Sequence, residues 1–527
     1  MSETSVIQQN SIGAALNRSA RKYSHQLALV FGERQWRYQA LNQAANRVAN
    51  GLLAAGLAPG DRLAVYGKNS DAYVIAWLAA TKAGLVHVPI NFALSSDELR
   101  YILDQSGAAG LLSDGSLTDK VTAATEDLNL ALMGTLHAEQ GRDSGSFDVL
   151  AYATSEPGGE ELRSEQSSSE EPSVTVDGSS LAQLLYTSGT TAAPKAAMMT
   201  HQALMAEYMA CMVELDIKGS EAMLAALPLY HSAQMHVFLM PALLLGAPVY
   251  LLEAPLPELC LRAIAEHQIA SFFAPPTVWI SLLRHAEFER FDLSALNKAY
   301  YGASIMPVPV LEELQQRIPG VGLYNCYGQS EIAPLATVLR PDEHAARPAS
   351  AGRPILTVET RIVDLEMNDV PHGEHGEIVH RSPQLMKGYW DKAAMTEEAF
   401  QGGWFHSGDV GYFDEAGYLY VVDRIKDVIN TGGILVASRE VEEGLFKHPA
   451  VSEVAVIGQP DEKWIEAITA VVVLKEGQEA SEEELIHHAK TLMAPYKVPK
   501  HILFADALPK STAGKILKRH LRQELKG

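Results

Sequence analysis

Between residues 40 and 90 the chain switches repeatedly between two periodicities, and this alternation constrains its fold more than any other feature. ALNQAANRVANGLLAAG (40–56) has apolar residues at helical spacing and stops on Gly56, a residue suited to a helix C-terminus. RLAVYG then reads as a strand, AYVIAWLAATKAG as a helix ending at Gly84, and LVHVPI as another strand. Helices alternating with short apolar strands predict an α/β class fold with layered, largely parallel sheets. The pattern resumes after residue 180 and runs to about residue 420. The last hundred residues hold strand-like VSEVAVIG and AITAVVVL and helical SEEELIHHAKTLM, enough for a small α+β domain. A chain of 527 residues exceeds one compact core. The expected organisation is a large domain over 1–423 and a small mobile domain over 424–527. Residues 154–180 are acidic, serine-rich and nearly free of apolar groups, and read as a solvated, flexible surface insert without chemistry.

The formal net charge of −22 argues against non-specific binding to nucleic acid or anionic membranes, since a phosphate polymer needs a basic face. It leaves room for a local basic pocket. Cys211, Cys260 and Cys326 are far apart with no CxxC spacing, so a reduced cytoplasmic compartment is expected. The start carries no basic and apolar leader pattern. The longest uncharged run, 232–252, is broken by Pro241, Gly246 and Pro248 and reads as a buried helix followed by a buried strand rather than a transmembrane segment.

Residues 186–201, YTSGTTAAPKAAMMTH, follow the apolar strand-like LAQLLY. Hydroxyls of Thr187, Ser188, Thr190 and Thr191, the flexible Gly189 and the ammonium of Lys195 suit a loop that donates hydrogen bonds and charge to a polyphosphate. It is not a Walker loop, because Pro194 precedes Lys195 and Ala196 follows it. A polar turn that binds nothing is the alternative reading.

The loop resembles the phosphate-binding signature of the adenylate-forming superfamily of acyl-CoA synthetases, adenylation domains and beetle luciferases. It departs from that signature at Ala192 and Ala196, where the family has glycine. Further segments resemble family motifs in the same order. In ALPLYHSAQMH (226–236), the resemblance makes His231 a group at the carboxylate end of the acyl site. In YGASIMP (301–307) it makes Gly302, Ala303 and Ser304 the adenine-binding turn. In YNCYGQSE (324–331) it implies that Tyr327 stacks on adenine beside Gly328 and Ser330, and that Glu331, with Thr187, holds Mg²⁺. WFHSGDVGYFDEAGYLYVVDRIKD (404–427) resembles the segment in which Asp409 accepts the ribose hydroxyls, Arg424 reaches ribose or phosphate, and Lys426 is the hinge. LPKSTAGKILKR (508–519) resembles the motif that delivers the catalytic lysine, here Lys515.

The resemblance implies ATP-dependent conversion of a carboxylic acid to an acyl-adenylate, then transfer of the acyl group to CoA through a tunnel past Gly432 and Gly433. Leu435 stands where the family often has asparagine. An amide synthetase or carrier-loading enzyme making the same adenylate is the first alternative, and a catalytically weak binding protein the second. The resemblance implies that Mg²⁺ on Glu331 and Thr187, with Lys515, offsets charge in the phosphoryl-type step, so no side-chain nucleophile is required. HSAQMHVFLMPALLLG suits an adaptable hydrophobic pocket; a medium or long aliphatic acid is the first expectation and an aromatic or cyclic acid the second. A homodimer stays open.

Overall fold

The computed structural model describes residues 10–137, 147–155, 168–187, 194–304, 306–432, 434–461, 463–512 and 514–525. Two sheets form the bulk of the large domain. In the first, Lys298–Gly302, Ser271–Phe273, Met223–Ala225, Val249–Leu251 and Leu27–Phe31 run parallel. Antiparallel strands, among them Gly322–Gly328 with Leu335–Leu339 and Leu27–Phe31 with Arg34–Arg37, close its edges. In the second, Ala108–Ser113, Arg62–Tyr66, Val86–Ile90 and Leu181–Thr187 are parallel, and the final strand Lys195–Thr200 returns antiparallel.

The helix Asp71–Ala83 is buried along its whole length, with Trp77 and Tyr73 fully enclosed. That explains why its sequence is apolar apart from Asp71 and the Thr81–Lys82 pair near its ends: a helix sandwiched within a core has no side to give to water. Gly84, with φ +71, ends it in the left-handed conformation that glycine adopts without a Cβ penalty. The run 232–252 forms a π-helix over Ala233–Leu239, an α-helix over Met240–Leu245 and the strand Val249–Leu251, so its helical part is buried as expected but wound more loosely at its start.

A four-stranded antiparallel sheet follows and ends with Phe405–Phe413 and Leu419–Arg424. A separate five-stranded sheet begins at Ile429–Thr431 and includes the long hairpin Val451–Asp461 and Ile465–Leu474, covered by Ser438–Phe446 and Glu482–Leu492. It has its own apolar cluster, centred on Ile429, Val441, Val456, Ile468 and Leu485. Asp423, at the end of one sheet, accepts both the N–H and the hydroxyl of Ser438, at 2.6 Å each.

The acidic insert differs from its sequence reading. Residues 156–167 lie outside the described residues, but Glu171 is anchored: its carboxylate lies 2.8 Å from Lys82 Nζ and accepts from Asn42 and Asn46. Lys82 sits on the buried helix, and an enclosed ammonium needs a counter-charge. The sequence did not reveal this because the partners lie 89 positions apart. All three cysteines are free and buried. Among the described residues, no helix is long and apolar enough to cross a membrane.

Candidate active site

The hairpin Leu181–Thr187 and Lys195–Thr200 places Thr187 opposite Lys195 in strand register. Both therefore stand at the mouth of the intervening loop. Ser188, Gly189, Thr190, Thr191 and Ala192 lie outside the described residues. Ala196 is fully buried and pairs with Tyr186. Lys195 Nζ lies 3.8 Å over the ring of Tyr389, and burial weakens its ammonium.

Glu331 lies in the short turn Ser330–Ile332 that follows the strand Gly322–Gly328. It is buried. Its Oε1 accepts from Tyr389 Oη at 3.0 Å and lies 3.4 Å from Thr187 Oγ1. Ser330 Oγ meets Ser232 Oγ at 2.9 Å, which ties this turn to the segment carrying His231.

Asp409 lies inside the strand Phe405–Phe413; Gly408 before it is left-handed, at φ +69. The spacing from Asp409 to Arg424 has a structural meaning, because the two are direct cross-strand partners. Asp409 Oδ1 lies 3.0 Å from Arg424 Nε, and Oδ2 accepts from Tyr327 Oη at 2.7 Å. Tyr327 thus has a second duty besides the expected ring stacking. Gly302 ends the neighbouring strand; a Cβ there would come within 2.2 Å of the Cys326 carbonyl oxygen. Ala303 follows in the left-handed region at φ +64, and Ser304 is half-buried beside it. Gly328 is as tightly enclosed, with Pro334 oxygen 1.8 Å from a would-be Cβ.

Lys515 reaches this cleft from the small domain. Ser511 N donates to Lys515 O at 2.8 Å, Lys515 N to Ser511 Oγ at 3.2 Å, and Lys510 bridges Ile516, so the loop is a self-closed turn. Gly514, at φ +79, packs against Pro275 and Thr277, whose Oγ1 donates to Gly514 O at 3.0 Å. Thr512 contacts Tyr230. The Lys515 side chain is exposed to the water of the cleft, while protein surrounds it on most sides. That desolvation, and next the positive Arg424, lower its ammonium to about 8; Asp409 opposes the shift.

His231 is lowered to about 4 by burial first and by Lys515 second, so the imidazole is neutral near pH 7. Its Nδ1 faces the Ala233 N–H at 3.4 Å, which assigns the proton to Nε2 and leaves that atom as a donor. Lys426 is exposed near Arg424; desolvation, and next the positive Arg424, weaken its ammonium too. Gly432, at φ +65, has the Trp464 ring 3.5 Å from a would-be Cβ; Gly433 lies outside the described residues. Leu435 follows, exposed.

Thr187, Lys195, Glu331, Tyr327, Asp409, Arg424, His231 and Lys515 therefore share one cleft. Gly432 and Leu435 lie on the small domain's first hairpin. The sequence reading missed Tyr389, which touches both Lys195 and Glu331. Its signal was KGYW (387–390), an aromatic after a glycine in a loop. Glu331 and Thr187 offer only oxygen, and no cluster of three or more His, Cys, Asp or Glu able to hold a metal occurs among the described residues. The oxygen-only donor pair fits Mg²⁺, which keeps water and phosphate oxygens in its shell and takes one or two protein ligands.

The family described as AMP-binding enzyme matches residues 16–390, and its C-terminal domain matches 440–515. The chain is 36% identical over 517 residues to a feruloyl-CoA synthase of Amycolatopsis sp, covering 98% of this chain and 99% of that one. It is 31% identical to a long-chain-fatty-acid–CoA ligase of Bacillus subtilis, covering 98% and 94%. Among solved structures, an anthranilate CoA ligase in complex with anthranoyl-AMP superposes with a TM-score of 0.89 at 26% identity, covering 98% and 97%. An amide bond synthetase from Marinactinospora thermotolerans superposes at 0.85 and 26%, covering 98% and 99%.

Proposed function

This chain belongs to the AMP-binding enzyme family, and we propose that it activates a compact hydrophobic carboxylic acid with ATP and passes the acyl group to CoA. The observation that carries this reading is the delivery of Lys515 by a closed turn of the small domain into the cleft holding His231, Asp409 and Arg424.

The acid's carboxylate oxygen attacks the α-phosphorus of ATP, and pyrophosphate leaves. Asp409 accepts the ribose hydroxyls, the turn at Gly302–Ser304 admits the adenine, and Lys195 neutralises phosphate charge. The Nε2–H of His231 orients the carboxylate. Lys515 offsets charge that develops between the acyl oxygen and the phosphate. Mg²⁺, held by Glu331 and Thr187 when bound, supplies further charge neutralisation on the phosphates. Transfer then needs the lysine withdrawn; a turn of the small domain about Lys426 would bring the hairpin at Gly432 over the cleft for the CoA thiol.

Support for a compact rather than a long acid comes from the segment after His231. Met235, Val237, Phe238, Leu239 and Met240 are all buried; Phe238 stacks on Phe273 with ring centroids 4.3 Å apart and meets the tilted ring of Tyr300 at 5.0 Å. This close-packed wall leaves an aromatic acid better served than a long aliphatic chain. The test is a panel of cinnamic-type, benzoic-type and C8–C16 acids, with pyrophosphate release as readout, repeated with and without CoA. Preference for C12–C16 acids would reject the compact pocket.

Transfer to an amine is a second reading, favoured by Leu435 at the acceptor hairpin and by the similarity to an amide bond synthetase. Acid-dependent AMP release that responds to amines and not to CoA would select it.

A further inference from the structure

The turn that carries Glu331 is gripped from behind by two side chains that face no substrate group. Glu207, on the helix His201–Glu214, and Gln384, in the loop after the strand Gly376–Arg381, are both fully buried. Gln384 Nε2 lies 2.8 Å from the carbonyl oxygen of Ile332, 2.6 Å from that of Leu335 and 3.2 Å from Glu207 Oε2. Glu207 Oε1 accepts the Leu335 N–H at 3.0 Å. Thr357 Oγ1 donates to Gln384 Oε1 at 2.5 Å and so fixes which end of the amide faces the turn.

The turn needs such support. It is a single short helical turn, and Ala333 after it sits at φ +81, a conformation that a residue with a Cβ keeps only when its surroundings hold it. The loop of Gln384 also holds Glu331 directly. Met386 N donates to the Glu331 carbonyl oxygen at 2.8 Å, and Tyr389 Oη to its carboxylate. A packing role alone would be filled by apolar residues, because a buried carboxyl and amide are costly unless fully bonded. Burial holds the Glu207 carboxyl well above the usual carboxylate range, and its partners are an N–H, an amide and the Cys211 thiol.

We propose that Glu207 and Gln384 are positioning residues for Glu331, which aim its carboxylate and thereby set the affinity for the magnesium–ATP complex without touching metal or nucleotide. The proposal rests on the role given to Glu331 above.

Calorimetric titration of the full chain with ATP, in excess Mg²⁺ and separately in EDTA, tests it. Q384M keeps the volume and removes the amide donor; it should weaken MgATP binding about tenfold while leaving metal-free ATP within about twofold. E207Q keeps an acceptor for the Leu335 N–H but turns a donor towards Gln384; it should act in the same direction, about threefold. The KM for the acid should not move in either variant. E331Q should reduce MgATP affinity to the level seen in EDTA. MgATP binding unchanged in Q384M and E207Q, or equal loss with and without metal, overturns the positioning role while E331Q still upholds the metal role. An E331Q variant with full MgATP affinity removes the metal role and the proposal with it. Should Q384M fail to fold, E207Q decides.

Discussion

The groups proposed to hold ATP and the lysine proposed to act on it are supported in opposite ways. Asp409 is a strand residue, 4% exposed, locked between Tyr327 and Arg424. Glu331 is held within the large domain by Tyr389, Thr187 and the Met386 N–H. Lys515 stands on a turn closed mainly by its own hydrogen bonds, and that turn touches the large domain through Thr277, Tyr230 and Asn91. The difference teaches that the groups proposed to hold the nucleotide are built into the large domain, whereas the lysine proposed to act reaches them on a turn from outside it. A delivered group can be withdrawn for a second half-reaction without unfolding anything.

Removing the delivered group should have the largest effect. Lys515→Ala is expected to slow adenylate formation about 10²–10³-fold, the range for losing one preorganised charge partner. Thioester formation from synthetic acyl-adenylate should stay within about threefold, because the lysine is absent from that step. Stopped-flow pyrophosphate release and thioester absorbance separate the two, and equal losses would break the comparison.

Next comes the prebuilt side. Asp409→Ala should raise the KM for ATP by about 10- to 150-fold, the equivalent of about 1.5–3 kcal/mol for charge-assisted hydrogen bonds. The KM for the acid should barely change. Unaltered ATP dependence in a folded variant would show that the strand residue holds no ribose.

A pH profile sharpens the contrast further. The cationic form of Lys515 is the one proposed to act; with its ammonium lowered to about 8, that form is present below about 8 in the free enzyme and lost above it. The adenylation kcat/KM for ATP should therefore fall about tenfold per pH unit above that point. In Lys515→Arg this break should vanish, since guanidinium stays charged. A flat profile to pH 10 in the natural chain would assign the charge elsewhere.

The smallest effect concerns the loop's rigid flank. Ala196 sits within a strand, paired and buried, so its departure from glycine fits a backbone that needs no left-handed freedom. Ala196→Gly should lower stability by about 0.4–1 kcal/mol through unfolded-state entropy, with no gain in adenylation rate. A thermal melt beside the rate measurement checks this, and a large rate gain would mean that the alanine strains the loop.

The sequence by itself determined the order of helices and strands, because periodicity and terminal glycines act over a few residues: the helix ending at Gly84 and the pair Val451–Asp461 and Ile465–Leu474 were readable locally. It also exposed Thr187, Lys195, Glu331, Asp409, Arg424 and Lys515, whose motifs are short and contiguous. Only the tertiary structure decided what holds them. Tyr389 lies 58 positions from Glu331, and Gln384 lies 177 from Glu207. An acid at mid-helix in the apolar stretch around Glu207 stands out, since buried carboxyls are rare unless partnered. Its partner was invisible, because hydrogen bonds between distant segments leave no periodicity in the chain. The same reason hid the anchoring of Glu171 on Lys82: local composition marks a segment as polar, and only packing shows that one of its charges neutralises a buried ammonium.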